Sequence, residues 1–530
     1  MKYRVIGSND IYNIRNTILE NRGIDEGLFD LDESVIEDYN NYDNIIEGCE
    51  LLMKHIESES EICIVIDSDV DGITSSSLLA NYLYREFPTV NIVFKYHEGK
   101  QHGLSDITIE DGIKLVIVPD AGTNDVREIE ELYKRGIEAL IIDHHHLEVD
   151  YPKYGVLINN QTSSKVINKN LSGVGVVYKF LCCFSEYYFL DSPEEFLDLV
   201  SLGNIGDVMS AREKETRYFM KQGLKNINNK FIKALIKEKE FDMEGKLNIM
   251  SIGWTISPLI NGCIRSGSLL DKAKLYTEMI NQSNCEEVAK LCKNAKSRQD
   301  SSVKRDMAKI EKSLNINKGD RVIILSSMGA SKSKTGLIAG KLCSKYKLPV
   351  LLYSSEGDVL GGSARGLGDI NLRDDLNNSG IANGIGHNLA FGWDCKKDNI
   401  EKLKAYLNEK YKDVDFGSSE YEVDFELYYD ELTQELVDEI ANMEDEWGNG
   451  IDAPLIVVKD VYTYLDDSNI KGRLNVVWDI NGVKCIKKFT SSAWKEEFLN
   501  REFEADMIFK CVIDNYNKKG CLELVDLNNK

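Results

Sequence analysis

The sequence predicts an α/β protein: a parallel-sheet core, a long connecting helix, a second α/β domain and a small C-terminal β-barrel. Three observations carry this reading. From residue 62 to about 205, short apolar runs alternate with longer amphipathic ones; residues 286–314 contain neither Gly nor Pro; and from about 455, short strand-like runs are separated by turn dipeptides. Composition agrees, since 42% of the 530 residues are hydrophobic, 29% are charged and only 7 are proline, which rules out a collagen-like or wholly disordered chain. The length is about three to four typical domains, so a single core is not expected.

The runs ICIVI (62–66), LVIV (115–118), ALII (139–142) and VLIN (156–159) are continuous rather than alternating. That is the pattern of parallel strands covered on both faces by helices, and ligands of such sheets bind at the carboxyl ends of the strands. Residues 286–314 are rich in helix formers of mixed charge and suit a long exposed helix between domains. A second mixed segment opens with RVIIL (321–325), passes through a helix near 336–346 to VLLYS, and ends in two glycine-rich turns, GGSARG (361–366) and GIGHNLAFG (384–392). Turn signals at Asp466-Asp467, Asn481-Gly482 and Lys519-Gly520 fit the small barrel. The expected divisions are an N-terminal region with the catalytic domain (1–284), a connecting helix (285–318), a second α/β domain (319–415), a linker region (416–454) and the barrel (455–530).

Lys and Arg number 64 against 88 Asp and Glu, and the net charge of −24 argues against whole-surface attraction to nucleic acid or anionic lipid. Basic charge is instead concentrated: residues 285–350 hold 15 Lys or Arg and 6 Asp or Glu, whereas residues 1–60 hold 5 and 14. The opening MKYRVIGSNDIYN has no secretory apolar stretch, and no run approaches the ~20 apolar residues that span a bilayer. A soluble, cytoplasmic protein of a bacterial or phage-infected cell is expected, with no membrane partner. Twelve cysteines without a Cys-x-x-Cys pair indicate buried thiols, not a zinc ribbon or disulfide framework.

Ligand-type residues stand at the strand ends. ICIVI runs into DSDVDGITS (Asp67, Asp69, Asp71), LVIV into PDAGTND (Asp120), and ALII into DHHH (Asp143, His144, His145, His146); Asp207 follows a further apolar segment, SLGNIGD. Any one of these aspartates reads first as a helix N-cap. A calcium loop counted from Asp67 fails, because its twelfth position is Leu78 where a bidentate Glu is required. Four or more carboxylates converging on one sheet edge repel unless cations compensate them. Mixed carboxylate and imidazole ligands suit manganese, with magnesium or zinc as alternatives, and two such ions about 3.5–4 Å apart favour phosphoester hydrolysis.

These residues resemble the DHH phosphoesterase superfamily, whose Asp-His-His stands here as Asp143, His144 and His145. Within it the chain resembles the RecJ single-stranded-DNA exonucleases over nearly its whole length. DSDVDGITS, PDAGTND, IIDHHH and SLGNIGDV match in order and spacing, as do LSGVGVVYKF (171–180), SPLINGCIRSG (257–267), GGSARG and GIGHNLAFG. EWGNGIDAP (446–454) resembles the approach to an OB-fold, and DNYNKKGCLELVDL (514–527) its closing strands.

The resemblance implies metal binding by Asp67, Asp69, Asp71, Asp120, His144 and Asp207, with two Mn2+ or Mg2+ ions. Asp69 and Asp71 are preferred in the first motif, whose ligand split stays open. It places Asp143 and His145 in the catalytic set, His145 near the scissile phosphate or else orienting a ligand, and leaves His146 a bystander. Arg265, Ser363, Arg365 and His387 are implied in substrate binding. Two departures stand out: Leu259 where the family often has arginine, and SKSKTG (331–336) where it has a histidine-bearing turn, with Lys332 or Lys334 as the available cation. The implied function is a metal-dependent exonuclease acting 5′ to 3′ on single-stranded DNA in recombination, repair or replication, partnered by a helicase or single-strand-binding protein. The alternatives are an oligonucleotide or cyclic-dinucleotide phosphodiesterase, and a non-catalytic replication scaffold.

Overall fold

The computed structural model describes residues 1–98, 101–149, 154–317, 319–354, 357–416, 420–472 and 474–530. The apolar runs build one parallel sheet from β1 (Ile62–Ile66), β2 (Ile92–Tyr96), β3 (Leu115–Pro119), β4 (Glu138–Asp143) and β5 (Val156–Asn159), in the order β2-β1-β3-β4-β5. Every neighbouring pair is parallel. β1 and β3 are buried throughout, as their unbroken apolar sequences require. β2 is half-buried at the sheet edge and carries Lys95. The chain leaves β1 for β2 on one side and returns to β3 on the other, so strand order reverses between β1 and β3. Such a reversal opens a crevice at the carboxyl ends, into which the first two aspartate motifs run.

Helix α1 (Val70–Glu86) starts on that crevice with Asp69 as its N-cap, the carboxylate accepting the Gly72 N–H at 3.1 Å. It is buried on nearly all sides, including Thr74, Ser75, Ser76 and Ser77, and packs against α2 (Gly173–Tyr187) and α3 (Leu197–Gly206). Small residues allow this close approach: a Cβ on Gly203 would lie 2.4 Å from Thr74 Oγ1 and 2.6 Å from Asp71 Oδ1.

The chain divides into two compact units, Tyr3–Lys293 with Glu422–Lys530, and Asn294–Tyr421. The basic helix α4 (Cys285–Ser313) is one continuous 29-residue element. It is not exposed all round, because Val288, Cys292, Ala295, Gln299, Val303 and Ile310 form a buried stripe at helical spacing.

In the second unit β6 (Ile323–Ser326), β7 (Val350–Tyr353), β8 (Val359–Arg365), β9 (Ala382–His387) and β10 (Ala390–Lys396) form a sheet ordered β9-β10-β8-β7-β6, with helix α5 (Lys332–Tyr346) packed on it. Here the glycine reading is corrected. GGSARG lies largely within β8, and GIGHNLAFG is the β9–β10 hairpin. A Cβ on Gly362 would stand 1.8 Å from the Leu352 carbonyl oxygen, so that glycine serves close strand approach rather than a turn.

The C-terminal sheet has seven strands: β11 (Phe425–Tyr428), β12 (Leu455–Leu465), β13 (Ile470–Lys471), β14 (Asn475–Ile480), β15 (Val483–Lys487), β16 (Arg501–Ile513) and β17 (Gly520–Asn529), ordered β11-β12-β16-β17-β15-β14-β13. β11 comes from the stretch expected to be linker and pairs in parallel with β12. The Asn481-Gly482 turn joins β14 to β15 with φ of 50° and 82°, as the tight hairpin requires. All twelve cysteines are free and ten are buried. Among the described residues no helix is long and apolar enough to cross a membrane.

Candidate metal centre

Asp120 leaves β3 with φ +69°, its N–H tied to the Ile142 carbonyl at 2.8 Å, which turns the carboxylate into the crevice. Asp71, in the first turn of α1, binds across to the start of α2: its oxygens accept the Gly173 and Val174 N–H groups at 2.6 and 3.1 Å and the Ser172 hydroxyl at 3.1 Å. Asp207 caps the carboxyl end of α3. The helical origin of Asp207 differs from the strand-end placement of the other motifs. The segment after it is pinned from far along the chain, Asn449 donating to the Val208 carbonyl, Ala211 N–H to the Asn449 carbonyl at 2.8 Å, and Arg212 Nε to the Gly450 carbonyl at 2.6 Å.

His144 joins these carboxylates. Its Nε2 lies 3.3 Å from Asp120 Oδ1, 3.5 Å from Asp207 Oδ2 and 3.9 Å from Asp71 Oδ2. Burial and then neighbouring carboxylates push Asp120 and Asp207 well above the ordinary carboxylate range, and burial raises Asp71 although His144 opposes it. Burial also depresses His144, favouring the neutral ring. Asp120 Oδ1 is buried with no hydrogen-bond donor. Converging acceptors around such an orphaned oxygen are what a divalent cation fits, and carboxylate plus imidazole donors match manganese or magnesium. Asp71, His144 and Asp207 each offer a ligand atom within 4.8 Å of the others, and His144 also groups with Asp120, Asp143 and His145.

The remaining motif residues have other partners. Asp143 Oδ1 accepts from His144 N–H at 2.7 Å and pairs with His145 Nδ1 at 2.8 Å, while Oδ2 accepts the Thr123 N–H at 3.0 Å. Burial opposes its ionisation, but His145, His144 and Thr123 hold the carboxyl below its usual range. Asn159, ending β5, donates to the His145 carbonyl and Thr123 Oγ1, both at 2.9 Å, and so braces the loop. His146 is exposed, and its carbonyl accepts from Asn124. Asp67 is bound by His102 Nδ1 at 2.6 Å and by the Gly103 N–H at 3.2 Å, and burial raises its pKa to about 6. Sequence reasoning missed His102; its signal was a lone His-Gly pair after the edge strand. Asp69, Asp67 and His102 make a further group of possible ligands.

Arg265 lies toward Asp69, with Nε buried and unpartnered by hydrogen bonds. Within the second unit, Ser363 Oγ is 2.8 Å from Thr335 Oγ1 in a cavity of about 380 Å³ that Lys332, Gly361 and Gly362 also line. Arg365 lines a different cavity with Lys341 and Lys345, its Nη1 donating to the Ala364 carbonyl at 2.7 Å. Exposed His387 is paired across the hairpin with Ala390, which is itself opposite Arg365. Lys334 is engaged by Asp306 at 2.8 Å and Ser302 at 2.7 Å, which leaves Lys332 as the cation at the Ser363 cavity.

Gly173 is the tightest neighbour of the centre, since a Cβ there would stand 2.4 Å from Asp120 Oδ1 and 2.7 Å from the Asp120 Cα. Gly173→Ala is therefore expected to lower Mn2+ affinity by about 10- to 100-fold. Isothermal calorimetry checks this, and unchanged affinity would mean that Asp120 yields without loss.

A family model described as the DHH family, N-terminal domain, matches residues 61–204. The SPbeta prophage-derived single-strand DNA-specific exonuclease YorK of Bacillus subtilis is 37% identical over 510 residues, covering 90% of this chain and 88% of that protein. The single-stranded-DNA-specific exonuclease RecJ of the same organism is 26% identical over 379 residues, covering 68% of this chain and 47% of that protein. Among solved structures, Thermus thermophilus RecJ in complex with Mn2+ superposes with a TM-score of 0.77 at 16% identity, covering 100% of this chain and 79% of that one. The Mg2+ complex of the same protein gives 0.71 at 16% identity, covering 100% of this chain and 78% of that one. With Asp71, Asp120, His144 and Asp207 brought together and 37% identity over 510 residues, 90% of this chain, the chain belongs to the DHH family, in its RecJ-like group.

Proposed function

We propose that the protein is a divalent-metal-dependent exonuclease that hydrolyses phosphodiester bonds of single-stranded DNA, 5′ to 3′, in recombination, repair or replication. The observation that carries this reading is the convergence of Asp71, Asp120, Asp207 and His144 around the donorless Asp120 Oδ1. Relatives named single-strand DNA-specific exonucleases support the substrate class, and RecJ structures with Mn2+ and Mg2+ support the metal. Two ions are proposed, held chiefly by Asp69, Asp71, Asp120, His144 and Asp207. Bound there, they supply Lewis-acid polarisation of the phosphoryl group and an activated water.

The chain's own residues do the rest. Asp143 orients His145 through Nδ1, and the half-exposed ring contacts the scissile phosphate. Arg265 neutralises an adjacent phosphate on the Asp69 side. Within the second unit, Lys332 and Ser363, and separately Arg365 and His387, are further proposed phosphate contacts, where glycine backbone permits close approach. A helicase or single-strand-binding protein is the expected partner.

The deciding assay supplies manganese and compares end-labelled long single strands, duplexes and dinucleotides. Stepwise loss of mononucleotides from single strands supports the reading, whereas a dinucleotide preference or no turnover overturns it. His145→Ala is expected to retain Mn2+ yet lose about 10²- to 10⁴-fold in turnover. Calorimetry alongside kinetics checks this, and parallel loss of metal and activity would make His145 a ligand.

A further inference from the structure

We propose that His102 is a second substrate-contacting imidazole of this centre, held by Asp67 against a phosphate oxygen of the bound strand; the proposal rests on the exonuclease reading above. His102 lies outside the aspartate and histidine motifs, on the loop after the edge strand β2. Its Nδ1 is 2.6 Å from Asp67 Oδ2, and the next residue, Gly103, donates its N–H to the other oxygen of the same carboxylate. Both oxygens of Asp67, whose side chain is only 2% exposed, therefore serve the His102–Gly103 segment. Leu104 N–H adds a 2.6 Å bond to Asp125, and a Cβ on Gly103, at φ +68°, would lie 2.0 Å from the Asp125 carboxylate. One bond thus holds the ring and two more hold the backbone that follows it.

The arrangement repeats that of His145. Asp67 follows β1 and Asp143 ends β4; each receives an imidazole Nδ1 on one oxygen and a backbone N–H on the other. Each leaves about half of its imidazole exposed, 48% for His102 and 52% for His145. A ring recruited only to satisfy a buried carboxylate would be covered with it. Here the carboxylate is covered and the ring is about half exposed, which is the geometry of a positioned contact. His102 also stands with Asp67 and Asp69 inside one 4.8 Å group, so a strand engaged at Asp69 meets it. A fixed imidazole beside a polyanion offers its exposed edge to a phosphate oxygen, and Asp67 acts through His102 as a positioning residue.

Three variants of the full chain test this. His102→Asn keeps a nitrogen where Nδ1 stands and so preserves the bond to Asp67; His102→Gln keeps one near the Nε2 position and gives that bond up; His102→Ala loses both. The Asn and Ala variants are expected to lower kcat/KM on 5′-labelled single strands by about 10²-fold, with Gln retaining more than Asn and Mn2+ affinity unchanged. Wild-type turnover in the Asn variant would show that only the Asp67 bond matters and would overturn the proposal, as would a fall in Mn2+ affinity. Should the wild type itself degrade no single strand, the exonuclease reading fails, and strand affinity in Ca2+ then decides the role of His102. A loss of about five-fold or more in the Asn variant supports it, and equal affinity overturns it.

Discussion

Asp120→Asn is expected to reduce hydrolysis by about 10³-fold or more while making the metal-free protein more stable at neutral pH. Both effects have one cause. Asp120 is raised well above the ordinary carboxylate range by burial and by Asp71, Asp69, Asp67 and Asp207, so the folded chain holds this proton more tightly than the unfolded chain. A group shifted in that sense contributes most below its unfolded pKa, and the contribution is lost as pH rises through the folded value. At neutral pH, without metal, this shift opposes folding. Asn keeps the shape, tolerates the positive φ of this position and removes the charge. Mn2+ should reverse the order, raising the Tm of the wild type more than that of the variant. Calorimetric melts at pH 5 and pH 7, with and without metal, read both signs. A variant less stable than wild type in chelator at pH 7, or full turnover in excess manganese, would sink this account of the centre.

A chain ending at residue 454 is expected to aggregate or fail to fold rather than lose only DNA binding. Six of the seven strands in the C-terminal sheet would be gone, leaving β11 without β12. Helix α6 (Gln434–Ala441) would lose its seat: Gly520 donates to Asp438 at 2.6 Å, and a Cβ on Gly520 would lie 2.8 Å from the Val437 carbonyl. Lys246, 2.7 Å from Glu444, would lose its bond to the Ile513 carbonyl. The buried Ile456, Val458, Val461, Ile508, Phe509 and Leu522 would disappear from the core. Such losses exceed the ~5–15 kcal/mol that keeps a domain folded. Size-exclusion chromatography and circular dichroism check this. A monodisperse, folded fragment that degrades long strands with unchanged salt dependence would assign the sheet to partner binding.

The two lysines preceding Phe489 sharpen the point. Lys487 donates to the Leu524 and Val525 carbonyls at 3.1 and 3.2 Å, and Lys488 pairs with Glu244 and Glu523, both at 3.3 Å. Neither is a spare edge charge for phosphate. Of these three side chains, the Phe489 ring is 79% exposed.

What was legible followed from what each element buries. β1, β3, β4 and β5 announce themselves because strands covered on both faces must be apolar throughout. β2 did not, since it is half-buried along its whole length and carries Lys95, whereas the opposite edge strand β5 is buried after its first residue. β8 was mistaken for a turn because its glycines serve a strand–strand approach that only three-dimensional packing reveals. β11 is four residues long and finds its partner only at Ile456–Lys459. The convergence of Asp71, Asp120 and His144 was readable from repetition of acids at strand ends, whereas Asp207 joins them from the end of a helix. His102 was not, because its partner Asp67 is 35 residues away and no local pattern links them.

The pinning of the Asp207 segment bears on when the centre comes into being. Asp67, Asp71, Asp120 and His144 leave the ribosome early, but the loop after Asp207 is held by Asn449 and Gly450, the latter 238 residues beyond Arg212. Contacts so distant in sequence form late, after the intervening Asn294–Tyr421 unit has been made. A nascent chain therefore carries its acids through the making of the whole Asn294–Tyr421 unit without the brace behind the last of them. Translation order itself delays the finished blade.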